Sequence, residues 1–352
     1  MAIAASGAVS FSDLRTEFVG GSSAISYSDL YRGGSNIRAK AANNTATNLA
    51  ASVPTSGTIN IANFRSTAKG FRKTYTSGAT NQNASTIFGD DYAVNYRKEI
   101  VIDSGVELGA TSTSEEALEV PAGGAGSIII TNNGTLSGAG GAAGGGVGGD
   151  AFEAGVACTL VNNGTIRAGG GGGGQGGTGG GGSYSSTSYS YSHNNTYWSY
   201  NCGWTTIYIG GSWSGTSFAS YWWQTSYGNY RRGTLQYGTL QECGALSRFQ
   251  LGIVGTTNTN GGSGGAGGKG QGYVSANASG SGGSGGGTNA GTGGTGGTGG
   301  TYGNSGGTGA TGANGNRTNG VGGSGGGASG KYIRGISFVT YTNNGSNLGG
   351  TA

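Results

Sequence analysis

Hydrophobic residues come in short runs along this chain, and each run ends in a polar signal. Three related units open it: SGAVSFSDLRTEF (6–18), SAISYSDLYRGG (23–34) and SGTINIANFRSTAKG (56–70). In each, a short alternating apolar run precedes a polar cap and then Leu or Phe. Ser10-x-x-Asp13 and Ser26-x-x-Asp29 have the spacing of a capping box, which predicts two short helices. Leu14 and Phe18, four apart, then share one helix face. No single unit buries enough surface to stand alone, so the units are expected to pack on each other or on a partner.

A second family of runs follows: SIIITNNGTLSGAGG (127–141), CTLVNNGTIRAGGGG (158–172) and SFVTYTNNGSNLGG (337–350). The β-branched segments at 128–130, 159–161 and 338–340 predict strands. Asn-Asn-Gly after each predicts a tight turn at positive φ, and the chain is expected to re-enter one sheet after each excursion.

Between these runs the period changes to three. GTGGTGGTGGTYGNSGGTGATGANG (291–315) has glycine at every third position from Gly291 to Gly315, even through the interruption around Tyr302. Tracts 138–149, 169–182 and 261–272 are similar, with Gln175 and Thr178 three apart on one ridge. Collagen and polyglycine II both have three residues per turn, and collagen is disfavoured because Pro54 and Pro121, the only prolines, lie outside the tracts. Polyglycine II needs bare glycine faces, so that neighbouring helices can satisfy one another's backbone. The competing reading is a set of flexible linkers, against which the unbroken phase stands.

Composition sharpens the division. Of 352 residues, 85 are glycine and 9% are charged, and residues 1–120 hold most of the ionic groups. The expected organisation is an N-terminal α+β domain (1–120), then a mainly β and irregular scaffold of strands and packed polyglycine II helices (121–352), interrupted by an insert (183–253). The net charge of +4 is diffuse, with no basic cluster longer than Arg231-Arg232 beyond residue 100, so no nucleic-acid partner is expected. The first seven residues carry neither a basic start nor an apolar run, and no stretch approaches the ~20 residues of a membrane span. Synthesis in a cytoplasm without a signal peptide, and no membrane insertion, are expected. Cys158, Cys202 and Cys243 have no metal spacing; the latter two bracket one aromatic-rich segment and either pair or stay free.

The insert holds all five tryptophans and ten of the nineteen tyrosines. Rigid amphipathic rings among Ser, Gly and Asn are the composition of antibody binding loops, while some of the rings must build the insert's own core. Catalytic chemistry finds little support. The only histidine, His193, has no aspartate near it in sequence, and carboxylate pairs for glycoside hydrolysis would have to come from Asp90-Asp91, Glu115-Glu116 or Asp150 with Glu153. No enzyme, cofactor or metal is expected.

In-phase glycine tracts, aromatic-rich interruptions and NNGT-type strands together resemble the receptor-recognising adhesins at the distal tips of phage long tail fibres, as in T-even-like phages, over roughly 121–352. The resemblance implies a virion protein whose glycine tracts form a polyglycine II sandwich. It implies N-terminal docking on a trimeric tail fibre, or on another tail protein, through Phe11, Leu14, Phe18, Tyr27, Leu30 and Phe64. Its partner would be a bacterial outer-membrane protein or lipopolysaccharide, bound by Trp198, Trp204, Trp213, Tyr221, Trp222, Trp223, Tyr230, Arg231, Arg232 and Tyr302. If the helices alternate in direction, the insert and the small loops at 273–279, 301–305 and 314–319 could form one composite tip. The runner-up is a structural tail protein that touches no receptor; a polysaccharide hydrolase and an ice-binding protein stand further back.

Overall fold

The computed structural model describes residues 2–20, 24–188, 196–202, 205–214, 217–224, 230–233, 246–250 and 253–352. It divides into two compact units, Met1–Gly181 with Asn260–Ala352, and Gly182–Thr259. Among the described residues the only α-helices are Phe11–Leu14 and Ala84–Phe88, so the architecture is mainly β and irregular.

The three opening repeats fold alike. Ser10 with Asp13 and Ser26 with Asp29 form the expected capping boxes, and Asn60 with Asn63 forms a third. Each closes one short turn and delivers one large side chain, Leu14, Leu30 or Phe64, into a shared core with Phe18, Ile37 and Val53. That core ends near residue 64, and strands from Gly70 onward belong to a different one. The boundary expected at 120 therefore falls inside a continuous β structure, because strands before and after it pair with each other.

That structure is a parallel coil. The first face stacks Gly70–Tyr75, Arg97–Ile102, Ile128–Asn132, Cys158–Asn162 and Val339–Asn343. A second face stacks Ala79–Thr80 through Ser346–Leu348, and a third Gln82–Asn83 through Gly350–Thr351, so the chain makes five turns. Register aligns like with like: Ile100, Ile130 and Leu160 form one buried row, Leu108, Leu136 and Ile166 another. In the last turn Asn347 occupies the row of Ile166 and Thr351 that of Ile333, so the coil ends on polar residues, as terminal repeats of stacked folds do.

The Asn-Asn-Gly segments are corners of this coil, not hairpin turns. None of Gly134, Gly164 and Gly345 has positive φ. Glycine is needed for close approach: a Cβ at Gly164 would overlap the carbonyl oxygen of Gly134, and one at Gly345 that of Gly164. The asparagines stack as ladders. Asn132 Nδ2 donates to Asn162 Oδ1 at 2.8 Å, and Asn162 Nδ2 to Asn343 Oδ1 at 2.9 Å. Asn162→Ala should leave Asn132 and the Gly164 amide short of an acceptor in a fully buried site, costing about 2 kcal/mol. Chemical denaturation measures this, and an unshifted midpoint would show that the ladder contributes nothing.

Glycine tracts leave the coil twice, between its second and third faces, at 138–149 and 168–330. Tract 168–181 lies at the centre of six others. It donates to the return arm of the 138–149 hairpin (Gly172 N to Gly146 O, 2.7 Å), to 260–272 (Gly173 N to Gly268 O, 2.8 Å) and to 304–315 (Gly174 N to Gly307 O, 2.9 Å). It accepts from the outgoing hairpin arm (Gly141 N to Gly170 O, 2.8 Å), from 291–300 (Gly297 N to Gly174 O, 2.8 Å) and from 320–330 (Gly327 N to Gly172 O, 2.8 Å). Each set repeats every third residue. Three N–H directions alternating with three C=O directions account for six neighbours and for the absence of side chains between them. Gln175 and Thr178 continue the row of Gly169 and Gly172 beyond the reach of the short hairpin, and there they are exposed. At the rim, hydroxyls replace carbonyls: Ser324 Oγ accepts from Gln175 N, and Ser281 Oγ from Ala266 N.

Candidate binding surfaces

Tract direction decides which loops meet. The chain leaves the sandwich at Gly181 and re-enters at Asn260, and at this end Gly287 N donates to Asn260 O, Asn316 N to Asn289 O and Arg317 N to Gly181 O. Loops 287–290 and 316–319 therefore share one end. The loops containing Tyr273 and Tyr302 lie at the other, against the coil. A Cβ at Gly109 would fall inside the Tyr273 ring. The Arg167 guanidinium stacks 3.9 Å from the Tyr302 ring centroid and is itself held by Glu107 and Ser137, both at 2.8 Å. Burial pushes the Tyr302 phenol up. The assignment of Tyr302 to a recognition surface is corrected: alternate loops of an antiparallel bundle return to its base, so this ring clamps tract to coil. The expected composite tip likewise loses the 273–279 and 301–305 loops.

Of the six expected attachment residues, Leu14, Phe18, Leu30 and Phe64 are fully buried. A module this small has few other large side chains from which to build a core. Only Phe11, 41% exposed, and the half-buried Tyr27 reach the surface, their rings edge to face with centroids 4.7 Å apart. Asn60-x-x-Asn63 was the overlooked signal, with the same spacing as the two Ser/Asp boxes.

Unit Gly182–Thr259 begins with Gly182–Ser188 paired antiparallel to Ile253–Thr259 over seven positions. Beyond it stands a five-stranded antiparallel sheet in the order Tyr230–Gly233, Ser217–Gln224, Thr205–Ser214, Thr196–Cys202, Leu246–Gln250. Trp198, Trp213, Tyr221, Trp222, Trp223, Tyr230, Arg231 and Arg232 all lie in its strands. Trp204, His193 and Cys243 lie outside the described residues.

Of the carboxylates considered for hydrolysis, Asp91 and Asp150 are engaged in structure. Asp91 is buried, accepts from Ala41 N and Asn44 Nδ2, and pairs with Arg38 at 2.9 Å. Asp150 accepts from Lys331 N at 2.5 Å and pairs with Arg334, which also reaches Glu153. No group among the described residues could hold a metal ion. Lys98, fully buried, donates to the carbonyls of Val94, Tyr96 and Ala125; burial brings its ammonium down to about 8.

Glu116 is pushed up to about 7 by burial, then by its hydrogen bond and charge interaction with Glu153. Its folded value lies above the 4.5 of an ordinary glutamate, so its contribution is complete below about 4.5 and is lost as pH rises to about 7. After solvent screening of this half-buried group, stability should fall by about 1 kcal/mol between pH 5 and 7.5. Glu116→Gln should flatten that slope in thermal melts, and an unchanged slope would exclude Glu116 as its source.

The chain thus builds a parallel coil and hydrogen-bonded glycine tracts in one unit and an aromatic-rich sheet in the other. The family model described as phage tail fibre adhesin Gp38 matches residues 70–234, from the first coil strand to just past Tyr230–Gly233. The family resemblance read from the sequence is the one this match returns. A solved structure, described as the gp37-gp38 adhesin tip complex of the bacteriophage S16 long tail fibre, is similar at 18% identity, covering 85% of this chain and 88% of that one, with a TM-score of 0.35. No curated protein matches the chain. No helix among the described residues is long and apolar enough to cross a membrane.

Proposed function

We propose that the chain is a receptor-binding adhesin of a tailed phage, carried on the virion at a tail fibre tip, and that it recognises the host through an outer-membrane protein or lipopolysaccharide. The observation that carries this reading is the reach of the adhesin-family match, which runs from the first coil strand through the central glycine tract and four strands of the aromatic sheet, and leaves out the coil strands from Lys331 onward. In this reading the glycine tracts are polyglycine II helices, whose backbone lattice needs almost no apolar core. Residues 1–68 form the attachment module for a trimeric fibre or another tail protein, with Phe11 and Tyr27 at the contact.

Excess soluble chain should compete with the phage for adsorption to host cells. A chain that leaves adsorption untouched would return the protein to a purely structural tail role. Phe11→Ser with Tyr27→Ser should still compete but should fail to enter virions, which separates attachment from recognition.

A further inference from the structure

The three opening repeats are alike in more than their caps. Just before the cap each has a half-buried aliphatic residue, Val9, Ile25 or Ile59, and just after it an apolar one, Phe11, Tyr27 or Ile61. The residue after that, Ser12, Ser28 or Ala62, is exposed in all three. The backbone repeats as well, although the connections between repeats differ in length. Gly7 and Gly57, each three residues before its cap, have φ of 86° and 82°. Tyr31 and Arg65, each five after, have φ of -65° and -63°, with ψ of 138° in both. In the first repeat the chain departs at this position and turns once more through Arg15–Val19.

Equivalent positions also join one repeat to another. Tyr31 Oη donates to Gly57 O, and Arg65 Nη2 to Gly7 O at 2.9 Å, so the second repeat holds the third and the third holds the first. A head-to-tail contact repeated in this way can close a ring. The step that would close this one, from Arg15 to residue 23, ends outside the described residues. Leu14, Leu30 and Phe64, one from each repeat, fill the shared core. The Phe11 and Tyr27 rings meet with centroids 4.7 Å apart. Equivalent side chains that touch lie beside the axis relating them, so the residues after the caps gather at one end of that axis, where Phe11 stays 41% exposed.

Three equivalent faces are more than a one-sided contact needs. Against the end of a homotrimer, they let a single chain make the same contact with every subunit at the partner's own symmetry. Resting on the adhesin reading, we infer that residues 1–68 dock coaxially on the end of a homotrimeric tail protein, one repeat to each subunit, with Phe11, Tyr27 and Ile61 at the centre. A partner without threefold symmetry, gripped by one repeat, is the competing arrangement.

The test mixes the full chain with the phage's own tail fibre protein, purified as its native oligomer. The mass of the complex should give one chain for every three fibre subunits. Ser12→Arg, Ser28→Arg and Ala62→Arg, at equivalent exposed positions, should each bury an unpaired charge and weaken binding about tenfold or more, with losses within about threefold of one another. Thr292→Arg, exposed on a glycine tract, should change binding less than about twofold. A loss confined to one or two repeats, or one chain per fibre subunit, would overturn the threefold docking and leave the adhesin standing. So would a chain that competes for cells but does not bind the fibre. Failure both to bind the fibre and to compete would overturn both.

Discussion

Gly176→Ala should destabilise the protein by about 3 kcal/mol or more, whereas Gly282→Ala should cost nothing. Both are glycines of the same repeating tracts. A Cβ at Gly176 would overlap the carbonyl oxygen of Gly294, whereas at Gly282 it would meet nothing within 4 Å. Tract 168–181 cannot shift to make room, since moving it away from 291–300 would stretch its hydrogen bonds with that tract and press it into the neighbours on the opposite side. Gly176 N also donates to Gly265 O at 2.9 Å, so displacement would break that hydrogen bond as well. Gly282 loses only unfolded-state freedom, which leaves the alanine variant equal or slightly more stable. Thermal melts of the two variants give the answer. Equal effects would mean that glycine serves here for flexibility and not for contact, and the lattice would lose its energetic meaning.

The same contrast explains what was legible in the sequence. A three-residue phase from Gly291 to Gly315 has one simple cause, and the hydrogen bonds repeat at that interval. Strands at 128–130 and 159–161 were readable because β-branched runs have little other use. Asn-Asn-Gly misled: the tripeptide has the turn propensity of a hairpin, but a one-chain reading cannot see that three copies stack, so that Gly164 serves Gly134 and Asn162 serves Asn132. Leu14, Leu30 and Phe64 were singled out by their repetition and misassigned in role. A repeat shows that positions are equivalent and says nothing of which side they face. Tyr302 failed for a related reason, because its loop belongs to one end or the other according to the parity of tracts before it. The aromatic insert was recognisable from composition alone. Its strand order was not, because it depends on pairing across five strands.

Excising the insert should separate scaffold from recognition. Gly182 pairs with Thr259, and two residues inside the sandwich Gly179 N donates to Gly262 O at 2.8 Å, so the severed ends lie side by side. Replacing 183–258 by an Asn-Gly turn therefore closes a hairpin of the kind that dipeptide favours. Met1–Gly181 with Asn260–Ala352 is a compact unit by itself, and the hydrogen bonds given above for the central tract all fall within it. The shortened chain should melt at the temperature of the full-length chain and should lose all competition with phage for cells. An aggregated or partly folded product would show that the sandwich depends on the insert. A well-folded product that still competes would move recognition to what remains at that end of the bundle, the loops 287–290 and 316–319. Because fold and binding are read on the same molecule, each outcome assigns recognition to one place.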